Sequence, residues 1–273
     1  MNVPTVNIPT VNIPTVISSA DNPFLKNLRR LSAGTTDYRK QGQFWAEGDH
    51  LVRAALRRST RPAIGIFAAS FWPLVPIECA WAAPKNIVIQ DDLYDTLSAL
   101  ESPSRMGFVF DLPPSPTLQA NAASVILDRV QDAGNVGAIL RSASAFGFGQ
   151  VIAIKGTAAL WSPKVLRAGM GAHWGLRLIE GATVDDVFRL TVPILVTDSH
   201  RGRLLHQLLA SQELPMPCAW TLGHEGHGVG NTLKSLAAMQ VRIAQPGGEE
   251  SLNVAAAAAI CLHASASALL DKA

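Results

Sequence analysis

The chain has 273 residues, of which 48% are hydrophobic and 16% are charged, so it contains ample material for a packed core. This length favours two domains. The formal net charge is only +2, so composition alone does not indicate a nucleic-acid-binding protein. Three widely separated cysteines form no CxxC pair and indicate no disulfide framework, which favours a reducing compartment.

The chain begins with no pattern typical of a secretory signal. Its longest apolar stretch, residues 251–270, contains Asn253, His263 and several serines. Such a stretch is more typical of a buried alanine-rich helix than of a membrane span. We therefore expect a soluble cytoplasmic protein with no membrane partner.

Residues 2–16 repeat a five-residue unit, read as NVPTV, NIPTV and NIPTV. A proline in every unit disfavours both a helix and a central strand. We expect residues 1–17 to form a disordered or extended tail without an assigned function.

A first domain is predicted over residues 18–111. Residues 22–31 and 48–59 have helical spacing of apolar residues, and short strand-like runs cover residues 63–68, 86–89 and 107–111. This order predicts a small α/β domain. The segment 21–62 carries nine basic residues against four acidic ones. Such an excess is typical either of phosphate contacts or of a solvated helix face. The basic residues are Lys26, Arg29, Arg30, Arg39, Lys40, Arg53, Arg57, Arg58 and Arg61.

A proline-containing linker is predicted over residues 112–123, followed by a second domain over residues 124–273. Apolar runs of four to six residues alternate there with helical segments. The pattern predicts an α/β domain with a parallel sheet covered on both faces. The predicted strands are residues 124–127, 150–154, 175–179, 193–197, 219–222 and 240–243. The predicted helices are residues 136–146, 162–170 and 204–209, and a long helix that closes the chain.

Three turns after strands of this second domain carry candidate chemistry, because ligands of parallel sheets bind beyond the carboxyl ends of the strands. In the first, Gly134 and Asn135 make the turn and Arg141 follows six residues later. Six residues are about 600° of helix, so the two side chains would not share one helix face. They would nevertheless converge on one ligand if Asn135 lay on the turn. An ordinary helix cap and a surface arginine explain the same residues.

The second turn reads LGHEGHGVG, with Glu225 among four glycines. The glycines permit close backbone approach. The segment lacks the spacing of a Walker A loop, of GxGxxG and of a zinc HExxH, and we expect no metal there.

The third turn follows a strand and leads into the long final helix with Ser251 and Asn253 near its start. Serine and acidic residues at a helix start are good capping chemistry, which is an alternative to function for this segment alone.

Together the three segments resemble the three motifs of the SpoU family of RNA methyltransferases, which are α/β-knot proteins. The resemblance rests on Asn135 and Arg141, on LGxEGxG, and on I-x-x-x-G-x-x-x-SLNV-x-x-A-x-A, and it covers residues 124–270. Alanine and glutamine follow Ile243, where family members often have Pro-Met.

The resemblance implies a deep trefoil knot, which is a rare exception among folds, and S-adenosylmethionine as the cofactor. It implies cofactor contacts from Gly223, Ile243 and Leu252. Further residues are expected close to the cofactor, namely Thr197, Leu222, Gly226, Gln245 and Asn253. The functional side chains that the resemblance implies are Asn135, Arg141, Glu225, Ser251 and Asn253.

The implied reaction is methyl transfer to a ribose 2′-hydroxyl. Arg141 is usually assigned the deprotonation, but a guanidinium is a poor base at neutral pH. We therefore expect Arg141 to position the substrate phosphate and hydroxyl, with Asn135 and Glu225 orienting Arg141 or the ribose. The proton acceptor would then be the substrate phosphate or water.

The segment GQFWAEGDHLVRAAL of the first domain also resembles a ribosomal-protein-like substrate-binding domain. That resemblance favours ribosomal RNA over transfer RNA as the partner, and the family resemblance implies a homodimer. Three alternatives remain: a transfer-RNA 2′-O-methyltransferase, an inactive RNA-binding relative, and methylation of a base. A conventional Rossmann enzyme is disfavoured because QDAGNVGAIL lacks its glycine fingerprint.

Overall fold

A computed structural model describes residues 13–98, 102–247 and 251–270. The chain divides into two compact units between Leu112 and Pro113, at the start of the predicted linker. Each unit has its own sheet.

The first unit is built on a mixed sheet of five strands within the described residues. The strands are β1 (Thr15–Ile17), β2 (Gln43–Glu47), β3 (Ile64–Ala68), β4 (Lys85–Ile89) and β5 (Met106–Asp111). Their order is β1-β4-β3-β5-β2, in which β4 pairs parallel with β1 and β3, and β5 pairs antiparallel with β2 and β3. The helices of this unit are α1 (Pro23–Ala33), α2 (Asp37–Gln41), α3 (Asp49–Leu56), α4 (Ile77–Ala80) and α5 (Asp91–Asp95), with a 3-10 turn at Trp72–Leu74.

Strand β1 corrects the predicted tail. We expected a disordered or extended tail up to residue 17. Residues Thr15–Ile17 are extended, but they pair in parallel with β4 at the edge of the sheet and so belong to the first unit. Ile17 is 5% exposed, so burial of one apolar side chain favours the pairing. An edge strand also tolerates a preceding proline such as Pro14. Residues 1–12 of the predicted tail lie outside the described residues.

The sequence did not predict β2 as a strand. Phe44, Trp45 and Ala46 are all buried. The alternation of apolar and polar residues that marks a strand with one solvent-exposed face is therefore missing. The following residue, Gly48, has a φ of +95°, and only glycine adopts this conformation readily at the turn into α3.

The second unit is built on a parallel sheet of seven strands within the described residues, which confirms the predicted α/β fold with a parallel sheet. The strands are β6 (Ser124–Asp128), β7 (Gln150–Ile154), β8 (Arg177–Ala182), β9 (Ile194–Thr197), β10 (Arg203–Leu204), β11 (Ala219–Gly223) and β12 (Met239–Arg242). Their order is β10-β12-β9-β11-β6-β7-β8, and every pairing is parallel. Every residue of β6, β7 and β11 is buried, as expected of strands covered on both faces.

The helices of this unit are α6 (Ala133–Ala145), α7 (Pro163–Gly169), α8 (Val184–Val187), α9 (Leu205–Ala210), α10 (Asn231–Leu236) and α11 (Val254–Leu270), with a 3-10 turn at Ala172–Gly175. The buried face of α11 packs beside β11, where Ser265 accepts a hydrogen bond from the Trp220 indole N–H at 2.9 Å. Among the described helices, none is both long and apolar enough to span a membrane.

The strand order determines where a site can form. Neighbouring strands β12, β9, β11 and β6 are all parallel, so their carboxyl ends meet at one edge of the sheet. The loops that follow these four strands therefore lie together, and they include all three turns singled out in the sequence.

Candidate functional site

A cavity of about 690 Å³ opens at this edge of the sheet, within the size range of ligand sites. Its walls come from the loops after β9, β11 and β12 and from the start of α11. Predicted site residues supply much of the lining, namely Thr197, Gly223, Glu225, Gly226, Ile243, Gln245, Ser251, Leu252 and Asn253.

One chain of side-chain hydrogen bonds joins the three predicted motifs beside this cavity. The Asn253 amide donates to Asn135 Oδ1 at 2.9 Å, and the Asn135 amide donates to Glu225 Oε1 at 3.2 Å. The Glu225 carboxylate also accepts the backbone N–H groups of Gln131 (3.3 Å) and Asp132 (3.2 Å). Side chains of residues ninety or more positions apart in sequence are therefore hydrogen-bonded in one polar cluster.

Helix caps fix the two asparagines of this cluster. Asp132 caps α6 by accepting the backbone N–H of Asn135 at 2.7 Å, so Asn135 lies in the first turn of the helix. Asn253 caps α11, since its Oδ1 accepts the backbone N–H groups of Ala255 (2.9 Å) and Ala256 (3.2 Å). The capping explanation therefore holds, but the same asparagines also bond each other across the site.

The Glu225 carboxylate is held in its ionised form. Partial burial raises the pKa of this carboxyl group. Hydrogen bonds from its own backbone N–H, from the Asn135 amide and from the backbone N–H groups of Gln131 and Asp132 lower the pKa by more than burial raises it, so the net pKa is below the ordinary value. A carboxylate at the start of a helix is also favoured by the helix dipole. Glu225 is consequently a hydrogen-bond acceptor at neutral pH.

The loop that carries Glu225 closes on itself. His224 and Gly228 exchange backbone hydrogen bonds of 3.1 and 2.8 Å. A Cβ at position 223 would lie 2.2 Å from the Gly228 carbonyl carbon, and Gly228 has a φ of +63°. These two glycines are therefore required by packing and by backbone conformation.

Two histidines flank Glu225 in this loop. The His224 Nδ1 atom accepts the Gly226 backbone N–H at 2.9 Å and lies 3.2 Å from His227 Nδ1.

Sequence reasoning missed two buried aspartates that anchor the loops. Asp128, at the end of β6, accepts the Gly230 backbone N–H at 2.7 Å and pairs with Arg129. Asp198, after β9, pairs with Lys234 of α10 at 2.8 Å. An acidic residue directly after a buried strand was the available signal for both.

Asp198 remains charged despite its environment. Burial raises its pKa, but hydrogen bonds from Lys234 and from the backbone N–H groups of His200 and Arg201 outweigh burial, so the net pKa is lowered. The anionic side chain thus holds the loop after β9 beside α10.

The cavity lining suits a cofactor with both polar and apolar parts. The Gln245 Oε1 atom is buried and accepts no hydrogen bond from the described residues, so it is open to a donor such as an amino group. Leu252 is 38% exposed at the cavity and offers an apolar contact. Leu222, in contrast, is fully buried in β11 and does not line the cavity.

Arg141 stands apart from the cluster. It lies on the exposed side of α6, does not line the cavity, and makes no hydrogen bond or ion pair within the described ranges. The structure therefore joins Asn135, Glu225 and Asn253 by hydrogen bonds but forms none between Arg141 and these residues. Within those ranges, no group of three or more His, Cys, Asp or Glu residues has the arrangement of a metal site.

The chain resembles known proteins over most of its length. A profile of the SpoU rRNA Methylase family matches residues 122–263. A 23S rRNA (guanosine(2553)-2′-O)-methyltransferase of Bacillus subtilis is 26% identical over 257 residues, which cover 90% of this chain and 97% of that protein.

Two solved structures share the fold. A SpoU methyltransferase from Streptomyces viridochromogenes in complex with the cofactor AdoMet superposes with a TM-score of 0.80 and 20% identity, covering 91% of this chain and 98% of that one. An AdoMet-bound rRNA methyltransferase from Sinorhizobium meliloti gives a TM-score of 0.78 and 24% identity, covering 92% and 97%. With a profile match that extends over half of its residues, this chain belongs to the SpoU rRNA methylase family.

Proposed function

We propose that this protein transfers the methyl group of S-adenosylmethionine to a ribose 2′-hydroxyl of ribosomal RNA. The observation that carries the proposal is the hydrogen-bonded cluster of Asn253, Asn135 and Glu225 beside a ligand-sized cavity. The names of the Bacillus subtilis and Sinorhizobium meliloti relatives support ribosomal RNA as the substrate and S-adenosylmethionine as the cofactor.

Backbone groups near Gly223 and Ile243 and the side chain of Leu252 would hold the cofactor. The side-chain Oε1 atom of Gln245 is buried without a hydrogen-bond partner among the described residues, and it would accept a hydrogen bond from the cofactor. Thr197, Gly226 and Asn253 also line the cavity, while Leu222 would contribute only through its backbone. When bound, the cofactor supplies an electrophilic methyl group.

The protein side chains orient the ribose. The Asn135–Glu225 pair has hydrogen-bonding groups fixed before substrate arrives, which lowers the entropic cost of orienting a hydroxyl. Arg141 is exposed and unpaired within the described residues, so its guanidinium is available to a substrate phosphate. Its charge would favour the developing alkoxide while the phosphate or water accepts the proton. Ser251 would add a further hydrogen bond at the cavity wall.

We also propose that the second unit folds with a deep trefoil knot. The non-sequential strand order and the contact between Asn253 and Asn135 support this topology. The basic side chains of the first unit would bind RNA phosphates. Arg30, on α1, is exposed and makes no ion pair within the described ranges.

A homodimer is part of the proposal. An apolar cavity of about 610 Å³ lies between α9 and α11, lined by residues that include Leu205, Leu209 and Ile260. Ile260 is 41% exposed and Leu269 is 47% exposed, which leaves apolar surface on α11 for a second copy. Light scattering of the wild type should give twice the monomer mass, and an Ile260→Asp variant should shift toward monomer.

Methyl transfer to purified RNA tests the function. Ribosomal RNA, transfer RNA and radiolabelled S-adenosylmethionine are incubated with the wild type and with Leu252→Arg. The ribose is then examined for 2′-O-methylation by its resistance to alkaline cleavage. We expect labelled ribose in ribosomal RNA only, lost in the variant. Label in transfer RNA or on a base would contradict the substrate assignment, and no label in either RNA would favour an inactive RNA-binding relative.

A further inference from the structure

A second, smaller cleft lies in the first unit, entirely outside the cavity described above. Its volume is about 350 Å³, and its lining is Leu56, Ser59, Arg61, Glu78 and Trp81. We propose that this cleft binds one base of single-stranded RNA and prefers a base that carries an exocyclic amino group. The inference rests on the RNA-binding part of the proposed function.

Two segments build the cleft. One wall comes from the end of α3 and the turn after it, in which Ser59 has a φ of +58°. The other wall comes from α4 and its C-terminal cap, Trp81. The Arg61 guanidinium donates to the Trp81 carbonyl at 3.3 Å and ties the two walls together. The Arg61 side chain therefore connects the turn after α3 to the backbone at the end of α4.

The cleft walls offer surfaces on which a base can stack. Unpaired RNA bases stack on aromatic side chains and on the plane of an arginine guanidinium. Trp81 and Arg61 supply both kinds of surface, and Leu56 supplies an aliphatic one. Stacking of this kind tolerates any base, so it supplies affinity but not specificity.

Glu78 supplies the selectivity. Its pKa is lowered because its own backbone N–H and the Arg53 guanidinium both donate to it, so the carboxylate stays ionised at neutral pH. An ionised carboxylate only accepts hydrogen bonds and has about four acceptor positions. Amino groups such as cytosine N4 donate to carboxylates, whereas uracil has a carbonyl at the same position.

Two arginines beside the cleft suit the phosphates on either side of a bound base. Arg57 and Arg58 are exposed and form no salt bridge with any described residue. Arg53, one turn earlier, is instead paired with Asp49 and Glu78. The unpaired positive charge that follows α3 thus lies next to the cleft, where contacts to phosphates would fix the RNA strand.

Fluorescence anisotropy of the full chain with labelled single-stranded hexacytidylate and hexauridylate tests the inference. The variants are Trp81→Ala, Trp81→Phe and Glu78→Gln. Trp72→Ala is the matched control, because Trp72 is a half-buried tryptophan of the same unit that packs on Phe67 at 5.1 Å and does not line the cleft. Thermal unfolding of each variant identifies any loss of fold.

We expect the wild type to bind hexacytidylate more tightly than hexauridylate. Trp81→Ala should weaken both about tenfold, Trp81→Phe should keep affinity within about threefold, and Trp72→Ala should change neither. Glu78→Gln should abolish the preference, so that the ratio of the hexacytidylate affinity to the hexauridylate affinity falls to about one. Equal affinities of Trp81→Ala and Trp72→Ala would overturn the inference, as would a wild type that binds neither oligonucleotide.

These outcomes are separable from the proposed methyl transfer, which is measured on ribosomal RNA. If the protein transfers methyl groups but Trp81→Ala does not change oligonucleotide binding, only the proposal about the cleft is contradicted. If Trp81→Ala weakens oligonucleotide binding but the wild type transfers no methyl group, only the proposed catalytic function is contradicted.

Discussion

The two sheets of this protein prepare for a ligand in different ways. In the second unit, parallel strands end together, and their loops hold Asn135, Glu225 and Asn253 in one hydrogen-bonded cluster before any ligand binds. In the first unit, three exposed arginines on or just after helices have no side-chain partner among the described residues, namely Arg30, Arg57 and Arg58. The fixed hydrogen bonds of the second unit would favour orientation of a ligand, whereas the unpaired positive charge of the first would favour electrostatic attraction of an anionic partner.

The largest effect is expected for Asn135→Ala, which tests the orienting role of the second unit because it removes the residue that links Glu225 to Asn253. We expect kcat for methyl transfer to fall about 100-fold or more, comparable to the loss of one preorganised hydrogen-bonding group. S-adenosylmethionine binding should change less than about threefold. The control is Ser142→Ala on the same helix, since Ser142 donates only to the Ala138 carbonyl. A rate within tenfold of wild type would contradict an orienting role.

A second test concerns a buried histidine of the second unit. The His173 Nε2–H donates to the Leu160 carbonyl at 2.8 Å, and full burial lowers the His173 pKa from 6.5 to about 4 despite this bond. The unfolded chain takes up a proton near pH 6.5, but the folded chain does so only near pH 4, so stability is complete above pH 6.5 and declines as the pH falls toward 4. The loss over this window is about 3 kcal/mol.

Urea unfolding at several pH values measures this effect. His173→Gln, which keeps a donor for Leu160, should reduce the slope between pH 6.5 and 4. His50→Gln is the control, because His50 is the histidine of the first unit and its side chain is 77% exposed. Equal slopes in wild type and His173→Gln would contradict the assignment.

A smaller effect is expected at the edge of the first sheet. Ile17→Asn should destabilise β1 by about 2 kcal/mol, because it exchanges the one buried side chain of that strand for a polar one. The Gln90 backbone N–H, which bonds the Ile17 carbonyl at 3.3 Å, should then exchange hydrogen faster. Val16→Asn, at a neighbouring position that is 66% exposed, should leave exchange unchanged.

The smallest expected effect is at the cap of α6. Asp132→Ala removes the acceptor for the Asn135 backbone N–H and should lower the free energy of unfolding by about 1 kcal/mol. Asp132→Asn keeps an acceptor, so its free energy of unfolding, measured by the same urea unfolding, should fall by less than half as much. A loss of equal size in both variants would indicate that charge, not the cap bond, matters there.

The sequence predicted the second unit better than the first for a physical reason. Buried parallel strands read as continuous apolar runs between glycine or asparagine turns, so β6, β7 and β11 were located to within one residue. Strand β2 gives a weaker signal because its buried apolar run, Phe44 to Ala46, is only three residues long and is flanked by Gln43 and Glu47. The pairing of β1 depends on Ile17 alone, which no periodicity reveals.

The candidate site was predictable in part. The resemblance to the SpoU motifs identified Asn135, Glu225 and Asn253, but it carried no information about their mutual hydrogen bonds. The loop anchors Asp128 and Asp198 were missed, since an acidic residue after a strand is common and only the fold brings Gly230 or Lys234 to it. The position of Arg141 outside the cavity was equally invisible, because it depends on the direction of α6.

We expect the cavity at the edge of the second sheet to bind S-adenosylmethionine. Calorimetric titration of the purified protein with S-adenosylmethionine tests it most directly, with Leu252→Arg as the cavity variant and Leu74→Arg as the control. Both leucines are exposed, but Leu74 belongs to the first unit. We expect saturable binding by the wild type and by Leu74→Arg, and none by Leu252→Arg. Equal binding by all three proteins, or no binding by the wild type at millimolar cofactor, would contradict it.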